Sequence, residues 1–289
     1  MSFLRNPFTK KGRASEPLQK LGNETTLSQQ VRVLAARLEY LSPQHAPRLL
    51  EQLCEGLAAD TVEAQRYFIA EALATAVYPK YKFSEYGRVY LEDEAFLAYY
   101  QRFMDVGNWH SLDRKYTLHQ LLKLVSSLQG DIAECGVYKG ASAYLMCDVL
   151  QGSARFVHLF DSFDGLSEPN QEDGTYWSKG ALRMPEETIY ETLASFSQYK
   201  VYKGWIPDRF HEVADLSFSF LHIDVDLYEP TLASLEFFYP RIETRGIILM
   251  DDYGFNSCPG AKRAADVFFA NRPEQIVMLP TGQAVVVKH

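Results

Sequence analysis

Carboxylates collect at the ends of apolar runs in this chain. The stretch LHIDVDLYEP (221–230) closes on Asp224 and Asp226, and GIILMDDY (246–253) closes on Asp251 and Asp252. RFVHLFDSF (155–163) delivers Asp161, and DIAECGV (131–137) carries Glu134. One acid after a strand is commonly a helix N-cap; acids after four strands on one rim make a site. Oxygen-only donors without His or Cys select a hard cation, magnesium before zinc, so Asp224, Asp251 and Asp252 are the expected metal ligands. Left bare, three converging carboxylates would repel one another. The alternative to a cation is a basic neighbour, and Lys262 and Arg263 follow closely in sequence.

The first turn limits which ligand shares that rim. ECGVYKG (134–140) lacks the G-x-G-x-x-G spacing, and Glu134 stands where a dinucleotide pyrophosphate would approach, so NAD is disfavoured. A ligand with adenosine, no phosphate and a positive centre fits better, which describes S-adenosylmethionine. Gly136 and Gly140 allow close backbone approach. Asp161 is placed to accept from the ribose hydroxyls and Trp205 to lie against the adenine. Tyr138 and Ser142 in the first turn, Ser162 after Asp161, and Gly204 before Trp205 complete the expected donor set, with Asp224 beside it.

Those residues require a scaffold, and the hydrophobic pattern supplies one. From about residue 112 a helical stretch is followed by short apolar runs alternating with helices, the signature of a parallel sheet covered on both faces. QIVML, a Pro-Thr-Gly turn and AVVVK close the chain as a hairpin with an antiparallel member, giving seven strands. In such a sheet ligands bind beyond the C-terminal strand ends. Upstream, residues 1–25 read as a flexible basic arm and 26–110 as a helical region. Leu27, Val31, Leu34, Leu38 and Leu41 mark its first helical face. The aromatic segment 78–100 suits core packing or subunit contact, or a wall over a ligand. Residues 164–187 form a long acidic and aromatic loop, read as a lid over an acceptor rather than a disordered insertion.

Composition excludes other classes. The chain has 289 residues, 29 Lys plus Arg against 37 Asp plus Glu, and a net charge of -8, which disfavours a nucleic-acid partner. No apolar run approaches the length of a membrane span, and the N-terminus lacks the apolar core of a secretory signal. The four cysteines, Cys54, Cys135, Cys147 and Cys258, show no C-x-x-C pair, so reduced thiols in a cytoplasmic protein are expected. His158 and His222 read as core histidines.

ECGVYKGAS, LFDSFDGL, VYKGWIPD, IDVDLYEPT and ILMDDY, in this order, resemble the macrocin O-methyltransferase family. The resemblance covers about residues 111–289 and implies the seven-stranded class I methyltransferase fold, an α/β Rossmann-like sheet. It implies magnesium-dependent transfer of a methyl group from S-adenosylmethionine to a hydroxyl of a sugar or glycosylated metabolite. Glu134, Gly136 and Asp161 would hold the donor, and Asp224, Asp251 and Asp252 the metal. The plan is also similar to that of catechol O-methyltransferase, whose lysine base would fall near Leu227, where this chain has none. Asp224 is therefore the first candidate base and Asp226 the second. Val225 and Pro230 stand where the family has Gly and Ser. The partner expected is a small hydroxylated acceptor, with room for a homo-oligomer through the N-terminal helices. The rival readings are a catechol-like acceptor, a non-catalytic binding protein of the same fold, and a metal-dependent phosphoryl-transfer enzyme, which lacks a phosphate-cradling loop.

Overall fold

In the computed structural model, residues 89–103 and 111–289 are described. The chain divides into two compact units, Met1–Val89 and Tyr90–His289. The expected basic arm and the helices before residue 89 lie outside the described residues, as does any oligomer contact through them.

The second unit begins with α1 (Glu94–Gln101), capped by Asp93, whose carboxylate accepts from Phe96 N at 3.0 Å. It buries Phe96, Tyr99 and Phe103 in the same core as the sheet. The sequence boundary drawn at 110/111 thus falls inside this unit, because the aromatic face of α1 has its burial partners in the core against the sheet. Ser111 caps α2 (Leu112–Leu124), its hydroxyl accepting from Arg114 N. The helix ends at Leu124, and the turn that follows leads into the first strand.

The strands are β1 (Asp131–Cys135), β2 (Val157–Asp161), β3 (Tyr199–Lys203), β4 (Phe218–Ile223), β5 (Ile242–Met250), β6 (Val277–Met278) and β7 (Ala284–Val287). They form one sheet in the order β3-β2-β1-β4-β5-β7-β6. β1 to β5 pair in parallel, and β7 runs antiparallel to β5 and β6. The intervening helices are α3 (Ala141–Val149), the short α4 (Glu187–Thr192), α5 (Tyr228–Phe238) and α6 (Pro259–Phe269).

Both faces of the sheet are covered, and the alternation of side chains along each strand assigns them. Ile132, Leu159, Phe220 and Leu249 pack with α1, α2 and α3 through Leu118, Leu122 and Met146. Their neighbours Ala133, Phe160, Leu221 and Ile248 face α5 and α6 through Leu235, Phe238 and Phe269. All six residues of β4 are buried, so its polar members, Ser219 and His222, must find partners inside the protein.

The strand order reverses between β1 and β4, which opens a crevice beyond their C-terminal ends. Gly136, the first residue after β1, sits at φ 84°. A Cβ there would lie 1.8 Å from the Asp224 carbonyl oxygen. Both its conformation and its contact demand glycine. Gly136→Ala is expected to destabilise the fold by about 3 kcal/mol or more, read as the shift in the denaturation midpoint.

Candidate active site

A cavity of about 610 Å³ occupies this crevice. Gly136, Tyr138 and Ser142 from the first turn line it, together with Asp161, Ser162 and Trp205. Asp224, Asp226 and Asp252 line its other end. Four of the sequence candidates, Glu134, Gly140, Gly204 and Asp251, do not line the cavity; Gly140 packs instead against Ile189 and Thr192.

On the first side, Asp161 Oδ2 accepts from Val137 N at 2.7 Å and Tyr138 N at 3.1 Å. Its Oδ1 accepts from Phe163 N at 2.7 Å. One carboxylate thus pins two adjacent loops, and it stabilises Tyr138 and Phe163 at positive φ, 49° and 58°. Gly204 N donates to the Asp161 carbonyl, joining the loop after β3 to the end of β2. Trp205 is 40% exposed at the cavity mouth. Ser142 accepts from Lys115 Nζ at 2.6 Å.

Glu134 is turned into the sheet. Strand register sets it opposite His222, and its Oε1 lies 3.0 Å from His222 Nδ1. Its Oε2 is buried and has no hydrogen-bond partner among the described residues. On the other flank His222 Nε2 lies 3.4 Å from Asp251 Oδ1, which also accepts from Gln283 Nε2 at 2.7 Å. Asp251 Oδ2 is ion-paired with Arg114. Burial would raise the Asp251 pKa, but Arg114, Lys115 and His222 outweigh it and hold the group well below the usual carboxylate range. The basic neighbour foreseen in sequence was Lys262 or Arg263. Both are exposed, and Lys262 instead pairs with Asp266 and Tyr253. Arg114 takes that place from 137 residues away in sequence. Such a contact exists only because α2 packs under the strand ends, so no local spacing could reveal it.

Among the described residues, Asp224, Asp226 and Asp252 have no such ion pair of their own. Burial and the charge of Asp251 raise Asp224; burial and Asp224 push Asp226 up to about 7. Asp252 is raised well above its ordinary value by burial, then by Asp226 and Asp224. Asp226 takes φ 60° and its N–H donates to Asp252 Oδ2 at 2.9 Å, locking the two turns together. Ligand-type atoms of His222, Asp224 and Asp251 lie within 4.8 Å of one another, and so do those of Asp226, Asp252 and Cys258.

Cys258, read in sequence as a plain thiol, is part of this wall. Its Sγ lies 3.4 Å from Asp226 Oδ1 and accepts from Trp177 Nε1 at 3.3 Å. Trp177 belongs to the long loop 164–187, which is folded over this end of the cavity. Buried Asp173 anchors the loop: Oδ1 accepts from Tyr228 N, the first residue of α5, at 2.6 Å, and Oδ2 accepts from Asn170 N at 2.8 Å. Asn170 also reaches Glu229 at 3.4 Å. Gly260 in α6 leaves the space, since a Cβ there would stand 1.9 Å from Asp173 Oδ1. His158 is a satisfied core histidine between Tyr202 and Asp131.

His222 gives the network a pH signature. Burial opposes its charge, but Asp251 and Glu134 override burial and raise its pKa to about 9. A pKa raised above the unfolded value of about 6.5 contributes stability that is complete below that pH and lost as pH climbs through about 9. In the metal-free protein, stability is expected to fall by on the order of 3 kcal/mol across that window. His222→Asn should be less stable at pH 6.5 and should lose that step, as read by denaturant titration at several pH values.

Comparison with known proteins places this geometry in context. The family model for macrocin O-methyltransferases matches residues 71–276, well over half of the chain. A tetracenomycin-C-type 4'-O-methyltransferase of Streptomyces olivaceus, named for its dimethoxy-rhamnosyl substrate, is 29% identical over 48% of this chain and 58% of its own length. The demethyldecarbamoylnovobiocin O-methyltransferase of Streptomyces niveus is 28% identical over 50% of this chain and 60% of its own. The chain therefore spans about three-fifths of the length of these curated relatives. Among solved structures, the O-methyltransferase NovP superposes with a TM-score of 0.55 at 23% identity, covering 63% of this chain and 83% of that one. The calicheamicin methyltransferase CalS11 gives 0.56 at 19% identity, covering 80% and 94%. These likenesses establish the seven-stranded methyltransferase fold, and with the family match spanning the glycine turn and all four clustered aspartates, the chain belongs to the macrocin O-methyltransferase family.

Proposed function

We propose that the protein transfers a methyl group from S-adenosylmethionine to a hydroxyl of a sugar on a glycosylated small molecule, assisted by magnesium. The observation that carries this reading is a cavity with a carboxylate-braced glycine turn at one end and, at the other, buried acids whose pKa values are raised by burial and mutual repulsion. A sulfonium donor suits an acid-rich rim that would repel a dinucleotide. The relatives named above, one of them for a rhamnosyl substrate, support the sugar acceptor.

The acids fit a divalent cation. Four carboxylates meet at one rim and Arg114 is ion-paired with one of them, Asp251. Burial and mutual repulsion raise the pKa values of the other three, so added positive charge would relieve them. Asp224 and Asp252, which line the cavity, are the residues that would hold magnesium; Asp251, the third expected ligand, would have to exchange its Arg114 ion pair for the cation. Bound there, the ion supplies Lewis acidity, lowering the pKa of an acceptor hydroxyl and fixing its position.

The chain's own residues do the remainder. Asp161, with Gly136 and Tyr138, shapes the donor turn for the ribose, and Trp205 offers a face for the adenine. Asp224 is the first candidate to take the hydroxyl proton and Asp226 the second; both line the cavity. Trp177 and the loop that carries it exclude water from the acceptor end. Direct displacement at the methyl carbon breaks the sulfur–carbon bond and leaves a neutral thioether, with the proton passing to a carboxylate.

A phenolic acceptor is the second reading, favoured by one observation: Trp177, Phe255, Leu227 and Pro230 make part of the wall apolar. Paired assays with a rhamnoside and a catechol separate the two.

Asp224→Asn and Asp252→Asn are expected to bind S-adenosylhomocysteine within about threefold of wild type by calorimetry while turnover falls at least about a hundredfold. A chelator should reproduce that loss in the wild type and magnesium should reverse it. Loss of donor binding in a folded variant would contradict the division of the cavity into two ends. A wild type that binds neither adenosylhomocysteine nor magnesium would be a binding module, not an enzyme.

A further inference from the structure

Lys115 is an unusual residue to find where it is. It lies in α2, 2% exposed, yet it borders the cavity. Lysine is almost never buried without a partner, and its Nζ donates to Ser142 Oγ at 2.6 Å. Ser142 is the second residue of α3, whose N-cap, Gly140, provides no side-chain hydrogen bond to the helix end. The positive end of the helix dipole therefore points at the same spot as the lysine.

The donor described above has an amino-acid tail carrying both an ammonium and a carboxylate. A rim of acids attracts the first and repels the second, so the carboxylate needs a positive patch of its own. Among the described residues lining the cavity the basic side chains are Arg114 and Lys115, and Arg114 is ion-paired with Asp251. Lys115 remains, next to a hydroxyl and an uncapped helix start. Resting on the methyl-donor reading, we infer that Lys115, with Ser142, forms the subsite for the carboxylate of the donor's amino-acid moiety. The competing role is that of a buried counter-ion, since its charge also acts on Glu134, Asp224 and Asp251. A counter-ion would support the fold and the acids without distinguishing ligands by their tails.

Calorimetry with three ligands on the full chain separates these roles. S-Adenosylhomocysteine carries the carboxylate, its carboxamide has lost that charge, and 5'-methylthioadenosine lacks the whole amino-acid end. Wild type is expected to prefer S-adenosylhomocysteine to the carboxamide at least tenfold, as a charge-assisted hydrogen bond requires. Lys115→Met should erase that preference while leaving methylthioadenosine affinity within twofold; Ser142→Ala should reduce the preference in the same direction. Equal loss of all three ligands in folded Lys115→Met, or a wild type indifferent to the carboxamide change, overturns the assignment. If Lys115→Met does not fold, the wild-type preference and its response to Ser142→Ala decide. A wild type that binds none of the three ligands overturns the donor reading itself, and this subsite with it.

Discussion

The ion pair between Arg114 and Asp251 is the contact around which the rest of the site is arranged. It fixes one of four crowded carboxylates as an anion inside the protein, where a lone charge would be very costly. With Asp251 held as an anion, His222 is drawn into the charged state between it and Glu134, and the positions of α2, β1, β4 and β5 become mutually dependent. Replacing any one member leaves a buried charge without its complement. Among the described residues the remaining acids have no ion pair of their own, and they line the cavity. The scaffold side of the charge balance is closed, and the ligand side is left open.

Much of this was legible in the sequence. Alternation of short apolar runs with helices gave the parallel sheet, and the terminal QIVML and AVVVK runs gave its antiparallel edge, because burial on two faces leaves a continuous imprint on each strand. Asp161, Asp224, Asp226 and Asp252, which line the cavity, could be picked out by their position at strand ends, a rule of topology that needs no long-range contact. The residues that sequence reasoning missed or misplaced were those defined by packing. Arg114 and Lys115 sit inside an ordinary-looking helix and acquire a role only when α2 docks beneath the rim. Glu134, expected to hold the donor, does not line the cavity; register sets it beside His222 of β4, and the two side chains meet on the same face of the sheet.

The division at residue 110 has the same origin. Helical periodicity upstream and the alternating pattern downstream suggest a break between them. Tyr99 shows why that change of texture is no boundary here: its hydroxyl donates to the Ala141 carbonyl at 2.7 Å, at the very start of α3. A helix that belongs to one pattern by its periodicity belongs to the other by its contacts.

Asp173 has a bearing on how loops of this kind diversify. Its carboxylate seats the start of α5 and occupies a notch that only a glycine in α6 leaves open. The segment over the acceptor end is therefore not an independent cassette. Transplanting the whole segment into another protein of this fold would require Asp173 and Gly260 to travel together, and Cys258 with Trp177. Change around Asp173 is thereby limited from two sides at once, by the backbone that starts α5 and by the notch in α6.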